Sequence, residues 1–60
     1  MKKYFIYQID ENGAPKKRMH IHALNIDNAH MGGSAWLSNG LYLVTNSDGS
    51  EAKIFKIERI

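Results

Sequence analysis

The chain has no cysteine among its sixty residues, a single proline and no long apolar run. The missing cysteine excludes a disulfide framework and a thiolate zinc site. The missing apolar run excludes a membrane-spanning helix, which needs about 20 such residues. Neither sign of charge dominates. Eight Lys and Arg against six Asp and Glu leave a net +2, mildly basic and far from a nucleic-acid-binding tail. With 43% hydrophobic and 23% charged residues the composition is globular, not disordered. Length then sets the constraint. The chain makes one domain, 1–60. Apolar burial and the ordering of the chain each come to about 90 kcal/mol, so they nearly cancel. A chain of this size without a staple depends on tight packing or on a partner.

The first residues, Met1-Lys2-Lys3-Tyr4-Phe5-Ile6-Tyr7, imitate the start of a signal peptide. Their apolar run is interrupted at Gln8 and Asp10, short of the roughly 7–15 residues an h-region needs. A cytoplasmic protein without membrane association is expected.

Turns are the strongest local signals. Asn12-Gly13 and Asp48-Gly49 both suit a type I′ hairpin, whose two central positions need positive φ. Each sits between β-rich segments: Lys3–Asp10 and Lys17–Leu24, then Leu41–Asn46 and Ala52–Ile60. Between the hairpins, Asn25-Ile26-Asp27-Asn28 offers helix N-caps and a carboxylate for the positive helix end. Ile26, Ala29, Gly33 and Trp36 follow at helical spacing with Leu37 beside them, and Asn39-Gly40 supplies a stop. The expected fold is α+β, ββαββ: a four-stranded antiparallel sheet in strand order 2-1-3-4 with one helix packed on one face. Gly32-Gly33 in mid-helix costs about 1 kcal/mol per glycine relative to alanine. Close approach of helix to sheet accounts for the pair better than an anion-binding loop, which needs its glycines before the helix. The same glycines offer a way to end the helix early.

Register decides which side chains share a face. A two-residue loop at Asn12-Gly13 pairs Glu11 with Ala14, Ile9 with Lys16, Tyr7 with Arg18, Phe5 with His20 and Lys3 with His22. Tyr4, Ile6, Met19, Ile21 and Ala23 then form the better core face. The opposite face carries Lys3, Phe5, Tyr7, Ile9, Lys16, Arg18, His20 and His22, basic with aromatics interleaved. Pro15 donates no ladder hydrogen bond, which allows a longer loop and a shifted register. In the second hairpin Leu43 pairs with Ile54 and Tyr42 with Phe55. Leu41, Leu43, Ala52 and Ile54 make one face, and Tyr42, Val44, Phe55 and Ile57 the other. Both are apolar, so this hairpin does not reveal which side it buries. One helix covers one face of a four-stranded sheet. The other leaves Phe5 and Tyr7, with Tyr42 and Phe55, for an interface.

Chemistry by side chains is sparse. His20 and His22 share a strand face at a spacing that zinc or nickel sites use, but His30 lies across the sheet and no carboxylate stands clearly beside the pair. A solvated or interface pair is the simpler reading, and no metal or cofactor is expected. No nucleophile elbow and no pair of carboxylates on one element points to an enzyme. Sheet-surface aromatics among Lys and Arg do fit a nucleic-acid-binding sheet, although the RNP signature is missing. Aromatic anchors with Arg and His at the rim fit a protein interface better. Candidate contact residues are Phe5, Tyr7, Arg18 and His20, with Lys3, His22, Tyr42 and Phe55 around them.

The segment Ile21-His22-Ala23-Leu24-Asn25-Ile26-Asp27-Asn28-Ala29, with the opening Met1-Lys2-Lys3-Tyr4-Phe5-Ile6, resembles small phage and prophage proteins, in particular short β-sheet-plus-helix anti-CRISPR inhibitors directed at type I surveillance complexes. The resemblance implies a non-enzymatic inhibitor that docks on a subunit of a larger host complex and blocks DNA binding. It assigns no residue a role. The expected function is a phage-encoded interaction module whose partner is such a complex. A second copy bound through the uncovered face, or nucleic acid on the same residues, is the alternative.

Overall fold

A computed structural model describes residues 1–59. Four strands, β1 (Lys2–Ile9), β2 (Pro15–Ala23), β3 (Gly40–Asn46) and β4 (Ala52–Ile57), form one sheet in the order β2-β1-β3-β4. Every neighbouring pair is antiparallel. The helix α1 (Ile26–Ser34) lies between β2 and β3 in sequence and packs on one side of the sheet. The ββαββ α+β fold and the strand order read from the sequence are those of the structure.

Both hairpin turns differ from the expected type. Neither Asn12 nor Asp48 has positive φ; only the glycines do, Gly13 at 82° and Gly49 at 78°. Gly13 N donates to Asp10 O and Asp10 N to Ala14 O, which makes a three-residue loop closed by a left-handed glycine. The second loop runs four residues, with Gly49 N donating to Asn46 O and Asn46 N to Glu51 O. Side chains fix both turns. Asp10 Oδ1 accepts from Asn12 N and Ala14 N at 2.9 Å, and Asp48 Oδ1 from Ser50 N at 2.9 Å. This bond holds the Asp48 carboxyl below its ordinary pKa.

The three-residue loop moves the first register by one, so Ile9 meets Pro15 rather than Lys16. A bulge follows at once, between Gln8 and Ile9 of β1, leaving Lys16 as the extra residue of β2. From Gln8↔Lys17 onward the pairs are the expected ones, including Tyr7↔Arg18, Phe5↔His20 and Lys3↔His22.

Asn25 caps α1: its side chain accepts from Asn28 N at 2.8 Å, while Asn28 Oδ1 accepts from Leu24 N at 3.4 Å. Ala29 and Gly33 are buried against the sheet. A methyl group on Gly32 would stand 3.0 Å from Ile21 Cδ1; one on Gly33 would stand 3.0 Å from Ile6 Cδ1 and 3.2 Å from Leu37 Cδ1. The glycines therefore serve close approach. The helix ends at Ser34, not at Asn39-Gly40, and Trp36 beyond it is exposed while Leu37 turns back into the core. No base lies in the last turn. Arg59 substitutes from the far end of the chain, its guanidinium donating to Ser34 O and Leu37 O at the negative helix end. On the same side Lys53 Nζ meets Asp27 Oδ1 at 2.9 Å.

Under the helix lie Tyr4, Ile6, Tyr42 and Val44, all essentially without exposed surface, joined by Ala23, Leu37, Phe55 and Ile57. The Tyr42 hydroxyl donates to Ser38 O at 2.8 Å, so the deepest polar atom is satisfied and the α1–β3 connection is tied down.

The two glycines are predicted to respond oppositely to alanine. Ile21 is half-buried on an edge strand and can rotate away, so Gly32→Ala should gain about 0.5–1 kcal/mol of helix propensity. Ile6 and Leu37 are locked in the core, so Gly33→Ala should lose about 1 kcal/mol net. Urea unfolding of both variants reads the two signs. Arg59→Ala should cost about 1 kcal/mol, with Arg59→Lys falling between because it keeps the charge but not the fork; thermal midpoints check the ranking. Lys53, by hydrogen bond and by charge, holds the Asp27 carboxyl below its ordinary pKa. The pair therefore stabilises the fold above the unfolded-state pKa of about 4 and loses that contribution as pH falls through the lower folded value. Unfolding curves of the wild type and Asp27→Asn should differ near neutral pH and converge on acidification.

Candidate functional site

Among the described residues the side of the sheet away from α1 has no second layer. On β1 it presents Lys3, Phe5, Tyr7 and Ile9, because side chains alternate and Tyr4, Ile6 and Gln8 take the helix side. The register brings Arg18 opposite Tyr7, His20 opposite Phe5 and His22 opposite Lys3. Six of the eight residues singled out in the sequence thus stand together on this face. Tyr42 and Phe55 do not. They pair with each other on the helix side, their rings stacked at 5.5 Å between centroids, and Phe55 lies 4.1 Å from the ring of His30 on α1. Both are buried.

The physical reason is the β1–β3 pairing. Tyr7 faces Leu43 and Ile6 faces Val44, so β3 takes its parity from β1, and β4 takes its own from β3. Leu41, Leu43, Thr45 and Ile54 consequently occupy the uncovered face in place of Tyr42 and Phe55. The hairpin turn alone could not indicate them. What could have is the hydroxyl of Tyr42 together with Lys53 and Asp27: a tyrosine with a loop carbonyl in reach and a lysine opposite a helix carboxylate both belong on the helix side.

Between β1 and β3 the uncovered face sinks into a shallow groove of about 370 Å³. Tyr7, Ile9, Pro15, Leu43 and Thr45 line it, with Gly13 and Gly49 of the two turns at its margins. The three-residue loop is what brings Pro15 alongside Ile9, and the bulge at Lys16 then restores the register. Ile9 is only 7% exposed although no helix covers it, so the groove is built by its own walls. Ile54, further along the same face, is 62% exposed.

The aromatic part is organised by cations. Phe5 and Tyr7 rings lie 6.5 Å apart and tilted by 48°. Lys3 Nζ and the Arg18 guanidinium each sit 5.2 Å from the centre of the Phe5 ring. On the opposite edge Lys56 Nζ pairs with Glu58 at 2.6 Å; each partner's charged form is favoured, which raises the lysine pKa and lowers the glutamate pKa. The His20 and His22 rings stand 6.0 Å apart, edge to face. Among the described residues no cluster of three or more histidine and carboxylate side chains is arranged to hold a metal ion. None of the described helices is long and apolar enough to cross a membrane.

An apolar floor, two half-buried rings and a cationic edge thus stand together on one sheet face. No protein-family model, curated protein or solved structure matches the chain.

Proposed function

We propose that the protein is a small non-enzymatic interaction module that docks its uncovered sheet face on a larger protein partner and blocks the surface it covers. The observation that carries this reading is the groove between β1 and β3, an apolar surface left open beside two half-buried aromatic rings. Such a surface on a chain of this size is what a protein interface needs at its centre. The resemblance of the β2–α1 segment to anti-CRISPR inhibitors suggests a surveillance complex of a phage host as the first target to test.

Nucleic acid on the same face is the second reading, supported by the cations over β1 and β2. Two features weigh against it. Base stacking needs open ring faces, and the Phe5 ring is already engaged by Lys3 and Arg18. Beside Tyr7 the remaining floor is aliphatic, so Ile9, Leu41, Leu43 and Ile54 offer no second plane to stack on.

Phe5→Ala/Tyr7→Ala should keep the fold, since neither ring belongs to the core under the helix. It should weaken partner binding by at least about 2 kcal/mol, the scale of a hot-spot loss. Circular dichroism checks the first expectation, and affinity capture from the host with wild-type and variant protein side by side checks the second. Capture of the same partner by both proteins would remove the face from the binding site. A steeply salt-dependent affinity for single-stranded oligonucleotides would favour the second reading.

A further inference from the structure

The charges of this chain are sorted by secondary structure. Seven of the eight Lys and Arg residues lie in strands, all but Arg59, whereas all six Asp and Glu lie outside them. On the uncovered face this leaves Lys3, Arg18 and Lys56, beside His20 and His22, with no carboxylate from any strand. Among the described residues only Lys56 of these has an acidic partner, Glu58 at the end of β4. Four of the other carboxylates sit in or beside the turns: Asp10 and Asp48 accept from backbone N–H groups of their own loop, Glu51 accepts from Asn46, and Glu11 is exposed at the tip of the first turn. The face is therefore an apolar groove with a cationic border on its β1–β2 side.

That pattern selects an occupant. A second copy placed face to face would set Lys3 and Arg18 against cations with no carboxylate to answer them, and like charges across an interface are penalised. A neutral apolar partner would strip water from the same cations without replacing it. Resting on the docking reading above, we infer that the partner surface is acidic and apolar: a large aliphatic or aromatic side chain enters the groove lined by Tyr7, Ile9 and Leu43, and carboxylates beside it meet Lys3 and Arg18. Arg18 suits this role twice. It lies opposite Tyr7 at the groove wall, and its guanidinium, resting over the Phe5 ring, keeps its planar fork of N–H donors at the ring edge for a carboxylate.

The test uses the full chain, isotopically labelled, and three short synthetic peptides sharing a Leu-Leu-Phe centre flanked by Glu, Gln or Lys. Amide shifts are followed at about 50 mM and about 500 mM salt. The Glu-flanked peptide should bind at least about tenfold tighter than the Lys-flanked one at low salt, shifting the amides of Tyr7, Ile9, Arg18 and Leu43, with the ratio shrinking at high salt. Lys3→Glu/Arg18→Glu should reverse the order of the two charged peptides while leaving the spectrum of a folded chain. Equal binding of all three peptides, or an order unchanged by the charge reversal, overturns the acidic-partner inference and leaves the docking face intact. Failure of every peptide to bind, or an oligonucleotide binding where none of them does, also overturns it. The docking reading itself falls only if Phe5→Ala/Tyr7→Ala captures the natural partner as the wild type does.

Discussion

Everything in this fold depends on how closely one nine-residue helix approaches the sheet. Ala29, Gly32 and Gly33 form the underside of α1 and let its backbone settle onto Ile21, Ile6 and Leu37. A helix held further off could not have closed over Tyr4, Ile6, Tyr42 and Val44, which among the described residues only α1 and Leu37 just beyond it cover. The glycines lower helix propensity, so the helix is secured from its ends instead: by Asn25 and Asn28 at the start and by the Arg59 guanidinium at the finish. Local weakness is exchanged for tertiary contact, a trade that a chain of sixty residues can make because so few residues carry the core.

The same contact divides the sheet into two unlike faces. On the helix side the apolar residues are locked and the polar atoms satisfied: the Tyr42 hydroxyl by Ser38, Lys53 by Asp27. On the far side Ile9, Leu43 and Thr45 pack only with their neighbours in the plane and with the hairpin turns. One short helix cannot serve both faces, so among the described residues the far face is left open. The groove's Pro15 wall follows from the three-residue first loop, which sets Pro15 opposite Ile9 before the bulge at Lys16 restores the register.

Much of this was legible in the sequence, for uneven reasons. The hairpins, the helix start at Asn25 and the packing role of Gly32-Gly33 follow from local chemistry that tertiary structure did not override. The pairs Tyr7↔Arg18 and Phe5↔His20 were expected from a two-residue loop, and they occur because a three-residue loop and a one-residue bulge cancel. The agreement there is compensation, not confirmation of the turn. The placement of Tyr42 and Phe55 on the open face failed for a different reason. Both faces of the β3–β4 hairpin are apolar, and the parity of β3 is set by its long-range pairing with β1, which no turn residue encodes. Trp36 has helical spacing but falls beyond Ser34, where α1 has already ended.

The open face also has to avoid binding to itself. An exposed sheet surface with Phe5, Tyr7 and Ile54 is the kind that associates without discrimination. Here the cations act before any partner arrives. The Lys3 ammonium and the Arg18 guanidinium lie over the Phe5 ring and place positive charge at its face. Like charge repels a second copy approaching the same face, and the one carboxylate at its far edge is already paired with Lys56. The same charges that disfavour a second copy on this face would give an acidic partner an advantage in approach and in register. Both effects would rest on the same two side chains, Lys3 and Arg18, and neither belongs to the core that folds the chain.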